Sequence, residues 1–395
     1  MTVLRTISFT TIFFSFFVST AWGNDPQVQN ILFVMGFFPV ITETFILNQI
    51  TGLIDRGYTV NIHAFKKRSP DIMHADVKTY KLLDCTTYGN RVPDLKKYDV
   101  IYCQFGFHGE RLVKVVKKKK KKFAVLAPII TCFRGSDMSA YVQKKPAVYK
   151  ELFKQGELFF PVCSYFANIL VRLGCKPEKI MVHHSGIDTD RFVYVERPRA
   201  EHRRLTIATV GRLIEKKGIE DAIRAVAPLI PMYNISYIIV GDGPERKYLE
   251  KLVKELRIEN SVHFYGWVTQ QEVIELLAHA DLFILPSVTG SDNNQEGIPN
   301  ALKEAMASGL PVISTYHAGI PELVDDMING LLVPPHDIHA LSRALIYLIT
   351  HPDQATMMGK KGREKVEQEF DRDRLLDRLE DIFYECIRKR SARNA

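Results

Sequence analysis

No pair among the six cysteines stands as C-x-x-C, which removes zinc-ribbon and thioredoxin-like chemistry. No short-period repeat occurs, which removes solenoids and propellers. Past the first two dozen residues, no stretch reaches the roughly 20 apolar residues that a spanning helix needs. Net charge is scarce as well. The formal value is +8, but six lysines stand in one run from Lys117 to Lys122. Setting those six aside from the 53 basic residues leaves 47 against 45 acidic ones. A nucleic-acid surface would spread its cations along a face with aromatics between them, so nucleic acid is not an expected partner. The lysine run reads either as a solvated helix end or as a contact for anionic lipid head groups at a membrane.

What is present suits an ordinary globular protein. The 395 residues are 46% hydrophobic and 25% charged, enough for two or three domains with cores of their own. Arg5, the apolar stretch 7–22 and the small residues Ala21 and Gly23 describe a signal peptide or signal anchor over residues 1–23. The cysteines point the other way. Cys103, Cys132 and Cys163 lie in apolar, strand-like runs, where a free thiol acts as a small hydrophobe, and that usage suits a reducing compartment. A misassigned start is a third reading of the leader.

After the leader, short apolar runs alternate with amphipathic stretches. Strands are expected at 31–35, 60–64, 100–103, within 124–133, at 158–162 and at 180–183. A polar, basic stretch at 195–204 reads as a linker. The alternation then resumes with strands at 205–210, 237–240, 262–265, 282–285, 312–314 and 331–333. Strands that do not alternate apolar with polar belong to a parallel sheet covered on both faces. The fold class is therefore α/β. One doubly wound unit spans 28–195 and a second spans 204–370. A tail helix over 371–395 carries Leu375, Leu379, Ile382, Phe383 and Ile387 on one stripe.

The segment 281–314 carries the chemistry. It reads strand, loop, helix, strand, with Glu296 just before the helix and Glu304 inside it. Gly297 and Ile298 offer backbone N–H groups at a helix N-terminus, a site suited to phosphate. Gly211 and Arg212 follow the first strand of the same unit, with Lys216, Lys217 and Gly218 next. Arg212 and Lys217 would supply two cations where a leaving diphosphate gains charge, and so take the place of a metal. The turn Gly241-Asp242-Gly243-Pro244 reads equally as a ligand contact or as a plain strand-to-helix turn.

These motifs together, G-R-L-I-E-K-K-G, V-G-D-G-P, H-F-Y-G-W-V and two glutamates bracketing seven residues, resemble the retaining group-one glycosyltransferases of the GT-B fold. The likeness covers roughly 31–370. F-F-P-V-I-T-E-T-F-I-L-N-Q-I and F-R-G-S-D resemble the branch acting in exopolysaccharide and colanic-acid assembly. The resemblance implies two facing Rossmann-like domains, with the tail helix crossing back onto the first. It implies that Arg212 and Lys217 bind the donor diphosphate, Glu296 the donor sugar and Glu304 the ribose, while the turn 266–268, including Val268, approaches the base. No metal or cofactor is expected, and no Asp-x-Asp segment stands in the context that metal-dependent glycosyltransferases use. The expected partners are a UDP- or GDP-sugar and a glycan or lipid-linked acceptor, at the cytoplasmic face of a membrane. A non-catalytic nucleotide-sugar binder, or an epimerase of the same fold, would keep much of this site; the glutamate pair favours transfer.

One departure stands out. Relatives often carry histidine where this chain has Arg134, so no general-base histidine is carried over. Arg134 and Asp137 read either as contacts for acceptor or donor phosphate, or as an ion pair bracing their loop. Thr42 and Glu43 follow the first strand and read as cleft residues or as a helix start. His108, His183 and His184 read as structural or cleft groups.

Overall fold

The computed structural model describes residues 28–40, 43–68, 73–118, 127–196 and 204–394. Thr42, the leader and Lys119 to Lys122 lie outside these. Six strands build the first sheet: β1 (Asn30–Phe38), β2 (Thr59–Lys67), β3 (Thr86–Tyr88), β4 (Val100–Cys103), β5 (Ile129–Phe133) and β6 (Leu158–Pro161). Six more build the second: β7 (Leu205–Val210), β8 (Ile235–Val240), β9 (Val262–Gly266), β10 (Leu282–Ile284), β11 (Val312–Thr315) and β12 (Leu331–Val333). The orders are β3-β2-β1-β4-β5-β6 and β12-β11-β10-β7-β8-β9. Every neighbouring pair is parallel. Both sheets thus share one doubly wound order, reversing between β1 and β4 and between β7 and β10. Ligands bind such sheets beyond the strands' carboxyl ends at that reversal.

Two elements differ from the sequence reading. β3 is a three-residue edge strand, too short to show a period. The stretch 180–183 is not a strand. It makes a single bridge, Phe159 to Ile180, and donates the Met181 and His183 amides to the carbonyls of Phe159 and Pro161. His183 Nε2 then bonds the Leu375 carbonyl at 3.2 Å, because the chain here is already leaving for the second unit.

The chain crosses between the units twice, and the two crossings are bonded to each other. The Ile187 amide donates to Phe370 O at 3.0 Å and the Arg372 amide to Ile187 O at 2.8 Å. Arg363 ties the outgoing segment to the second unit, with Nη1 on the carbonyls of Thr189, Phe192 and Ala307. The tail helix, Arg372–Asn394, then lies on the first unit. Leu376, Leu379, Ile382, Phe383 and Cys386 are buried in one cluster with Ile46, Ile50 and Tyr102. The Phe383 ring meets Tyr102 edge-on at 5.5 Å.

The helix Gly106–Lys118 starts at the carboxyl edge of β4 and runs back along the sheet. Lys117 and Lys118 therefore sit at the edge opposite the cleft, and Lys117 pairs with Glu151 at 3.0 Å. Among the described residues, no helix is long and apolar enough to cross a membrane.

Truncating the tail's aromatic anchor should loosen this docking. Phe383→Ala is expected to cost about 3–5 kcal/mol in urea unfolding. A loss below about 1 kcal/mol would mean that the tail contributes little to the first unit's core.

Candidate active site

Three loops meet at the carboxyl ends of β7, β8 and β10, and glycine lets them touch backbone to backbone. Gly218 (φ 64°) lies against the Pro286 carbonyl, where a Cβ would overlap the oxygen; Gly241 (φ 124°) lies against Gly211 O in the same way. Further bonds draw the loop after β10 onto the loop after β7. The Val288 amide donates to Lys216 O at 2.9 Å, and the Ser291 amide and hydroxyl donate to Glu215 Oε2 at 2.8 and 2.6 Å.

At the centre of this knot is Glu296. Its Oε1 stands 3.1 Å from Lys216 Nζ and 3.0 Å from Lys217 Nζ, with all three side chains largely buried. Burial pushes the carboxyl up, but the Lys217 and Lys216 ammoniums outweigh it and hold the group at about 2. Lys216 also reaches Asn294 Oδ1 at 3.4 Å and Gln295 O at 3.3 Å. The Glu296 amide faces His317 Nε2 at 3.4 Å. Burial lowers the His317 imidazole to about 4, so it is neutral at pH 7 and can accept that bond.

Glu304 lies two turns along, on the half-buried face of the helix Asn300–Ala307. Burial pushes its carboxyl up to about 7, against the pull of Lys303, Lys217 and Arg191. Lys217 thus acts on both carboxylates at once. Lys303 is wholly buried. Its Nζ bonds the Ser185 carbonyl and sits 5.8 Å over the Phe370 ring. Burial pulls its ammonium down to about 7.

The remaining expected donor residues divide. Arg212 is exposed on the same loop and makes no ion pair among the described residues. Gly297 is buried under the first unit, beside Val162 and the Arg134 carbonyl, with Ile298 half-buried next to it. Pro299 is the N-cap of the helix, and no side chain caps it. Asp242 is spent on its own turn. It accepts from the Gly243 amide at 2.7 Å and from Arg246 Nη1 at 3.1 Å. Val268 is half-buried beside exposed Trp267.

Across the cleft, Arg134 and Asp137 are not an ion pair. Asp137 is fully buried and accepts from the amides of Arg134, Gly135 and Gly106 at 3.0, 2.8 and 2.8 Å. That makes it a loop brace. The Arg134 guanidinium instead meets neutral oxygens: Gln104 Oε1 at 2.7 Å, Gln49 Oε1 at 3.1 Å and Ser185 Oγ at 2.6 Å. It also lies 4.5 Å over the Phe45 ring. Glu43 is half-buried before the helix Thr44–Asp55 and gives it no side-chain cap. Burial raises its carboxyl to about 7, opposed by Arg134 and Arg68. The three histidines are structural. His108 packs among Phe65, Phe105 and Phe107, His183 stacks on Phe160, and His184 Nδ1 faces Val162 O at 2.9 Å.

The roles of Lys216, Lys303 and His317 were not read from the sequence. Lys216 is masked by the adjacent Lys217. Lys303 is a charge on the buried face of a helix, a position that the apolar periodicity around it flags. Among the described residues, no group of three or more His, Cys, Asp or Glu is placed to hold a metal.

Glu304 makes stability depend on pH. Its folded pKa lies above the unfolded value, so the folded state holds the extra proton between about 4.5 and about 7 and loses stability as pH rises through that window. Glu304→Gln removes the penalty. Its Tm should match wild type near pH 4.5 and exceed it by on the order of 5 °C at pH 7 and above. A constant difference across this range would contradict the assignment.

Comparison with known proteins places this geometry. Residues 190–365 match the family model "Glycosyl transferases group 1". WcaL of Escherichia coli (strain K12), named as a colanic acid biosynthesis glycosyltransferase, is 35% identical over 388 residues, covering 84% of this chain and 94% of WcaL. The amylovoran biosynthesis glycosyltransferase AmsK of Erwinia amylovora is 33% identical, with the same coverage. In fold, the chain superposes on HepE of Anabaena in complex with UDP with a TM-score of 0.73 at 17% identity, over 90% of this chain and all of HepE. Sucrose-phosphate synthase of Thermosynechococcus elongatus gives 0.71 at 20% identity, over 90% and 98%. With two doubly wound sheets in the GT-B arrangement, and the glutamate pair and lysines at the reversal of the second, this chain belongs to the group 1 glycosyltransferases.

Proposed function

We propose that the protein transfers a sugar from a UDP- or GDP-linked donor to a glycan or lipid-linked acceptor in cell-surface polysaccharide assembly, retaining anomeric configuration and needing no metal. The observation that carries this reading is Glu296 held between Lys216 and Lys217 at the mouth of the β7/β10 crevice. Two buried cations there already face an anion, and the donor's diphosphate is an anion of the right kind to share them. Structures of HepE contain UDP and UDP-glucose, and the named roles of WcaL and AmsK are in exopolysaccharide assembly; both support the reading. The six free thiols favour the cytoplasmic face, where nucleotide sugars are made; the leader at 1–23 then acts as a targeting or anchoring segment.

In the proposed step, an acceptor hydroxyl oxygen bonds the anomeric carbon from the face that the diphosphate leaves. The carbon–oxygen bond to the diphosphate breaks, and its electron pair stays on phosphate. The hydroxyl proton passes to that phosphate oxygen. Products are the glycoside and the nucleoside diphosphate. Lys217, Lys216 and exposed Arg212 stabilise the charge that grows on the leaving group, in the role a divalent ion fills elsewhere. Glu296, released from the lysines, takes donor sugar hydroxyls, and Glu304 takes the ribose. A turnover-incompetent binder would not need this redistribution.

The deciding experiment is donor hydrolysis and transfer in chelator, with UDP- and GDP-sugars and lipid and glycan extracts as acceptors. Activity should persist; a strict need for added divalent ion would end the metal-free reading. Glu296→Gln should lose at least about 100-fold in turnover. The same variant should gain more thermal stabilisation from plain UDP or GDP than wild type, because its lysines lack their carboxylate. Equal stabilisation in both proteins would remove Lys216 and Lys217 from the phosphate site.

A further inference from the structure

The strands of the first sheet end at the cleft, and β2 ends there in three consecutive exposed cations, Lys66, Lys67 and Arg68. None makes an ion pair among the described residues. They surround exposed Phe37 and half-buried Tyr88. Phe37, paired with Lys66 in register, is 44% exposed. Lys66 Nζ lies 5.6 Å and the Arg68 guanidinium 5.7 Å from its ring centre. Lys67 Nζ lies 5.9 Å from the Tyr88 ring. The patch continues into the cleft, since Arg68 and Arg134 both act on Glu43.

We propose that this rim is the face on which the enzyme rests against an anionic lipid bilayer, with Phe37 at head-group depth and Lys66, Lys67 and Arg68 against lipid phosphates. The inference rests on the reading that the acceptor is lipid-linked. Cations on long stems beside an aromatic match an interface that is charged outside and apolar beneath. Lys66 and Lys67 form no ion pair among the described residues, and the carboxylate that Arg68 acts on, Glu43, is shared with Arg134, so the rim keeps a net positive charge for such a surface. The other basic candidate begins with Lys117 and Lys118, which lie at the opposite edge of the same sheet, and Lys117 pairs with Glu151. Docking there would turn the cleft away from the membrane. Docking at the rim sets the first unit's side of the cleft over the lipid, where a membrane-held acceptor enters without leaving the bilayer.

The test is sedimentation of the full chain with phosphatidylglycerol vesicles and with phosphatidylcholine vesicles, without donor. The readout is the excess binding to the anionic lipid, which cancels any contribution of the apolar leader. Wild type should show that excess, and added salt should reduce it. Lys66→Ala/Lys67→Ala/Arg68→Ala should lower it on the order of 100-fold, and Lys66→Arg/Lys67→Arg should keep it. Replacing the lysines at 117–122 with alanine should leave most of it. Thermal stabilisation by UDP or GDP, measured on every variant, reports the donor site separately, so failure at the rim does not count against the proposed reaction. The proposal is overturned if wild type shows no anionic preference, if the triple alanine variant keeps it, or if the lysine-run variant loses it. Binding of a soluble polyuronate through the rim without any vesicle preference would also overturn it, in favour of an acidic glycan.

Discussion

The second unit's site depends on one carboxylate between two ammoniums. Two buried lysines 3 Å from the same oxygen would repel each other without Glu296, and the loops that carry them would part. With it, the loop after β10 folds down onto the loop after β7, and the close approaches at Gly218 and Gly241 follow. The same contact holds the two lysine ammoniums in place. A free enzyme with a bare cationic pocket would bear a standing penalty. Here the penalty is offset from within, by Glu296 itself.

Much of this was legible in the sequence because the second unit is periodic and its motifs are local. Glu296, Lys217, Gly211 and Gly218 lie within two short segments, and both segments end strands at the sheet reversal. The six parallel strands of the second unit followed from runs that do not alternate. Legibility failed where a role depends on contacts across the chain. Asp137 looked like a partner for Arg134, and only the fold shows its oxygens turned to three amides. The stretch 180–183 had strand composition, but the departing chain leaves it a single bridge. Lys303 carries no motif; its helix face marks it as buried, but its partners, the Ser185 carbonyl and the Phe370 ring, come from the two crossing segments.

Arg134 and Lys303 approach the same crossing residue from opposite sides, one on the Ser185 hydroxyl and the other on its carbonyl. The first belongs to the first unit and the second to the helix that holds Glu304. Ser185 is therefore a shared anchor. The cleft's two walls are referenced to one backbone position, rather than to each other through solvent.

The paired crossings at Ile187 and Phe370 to Arg372 constrain how the walls can separate. A single linker would let the two halves slide, tilt and turn independently. Two segments bonded to each other in parallel register between the units resist that freedom, because sliding one half past the other would shear their bonds. Opening and closing of the cleft should therefore proceed by rotation about this paired crossing rather than by sliding of one unit over the other.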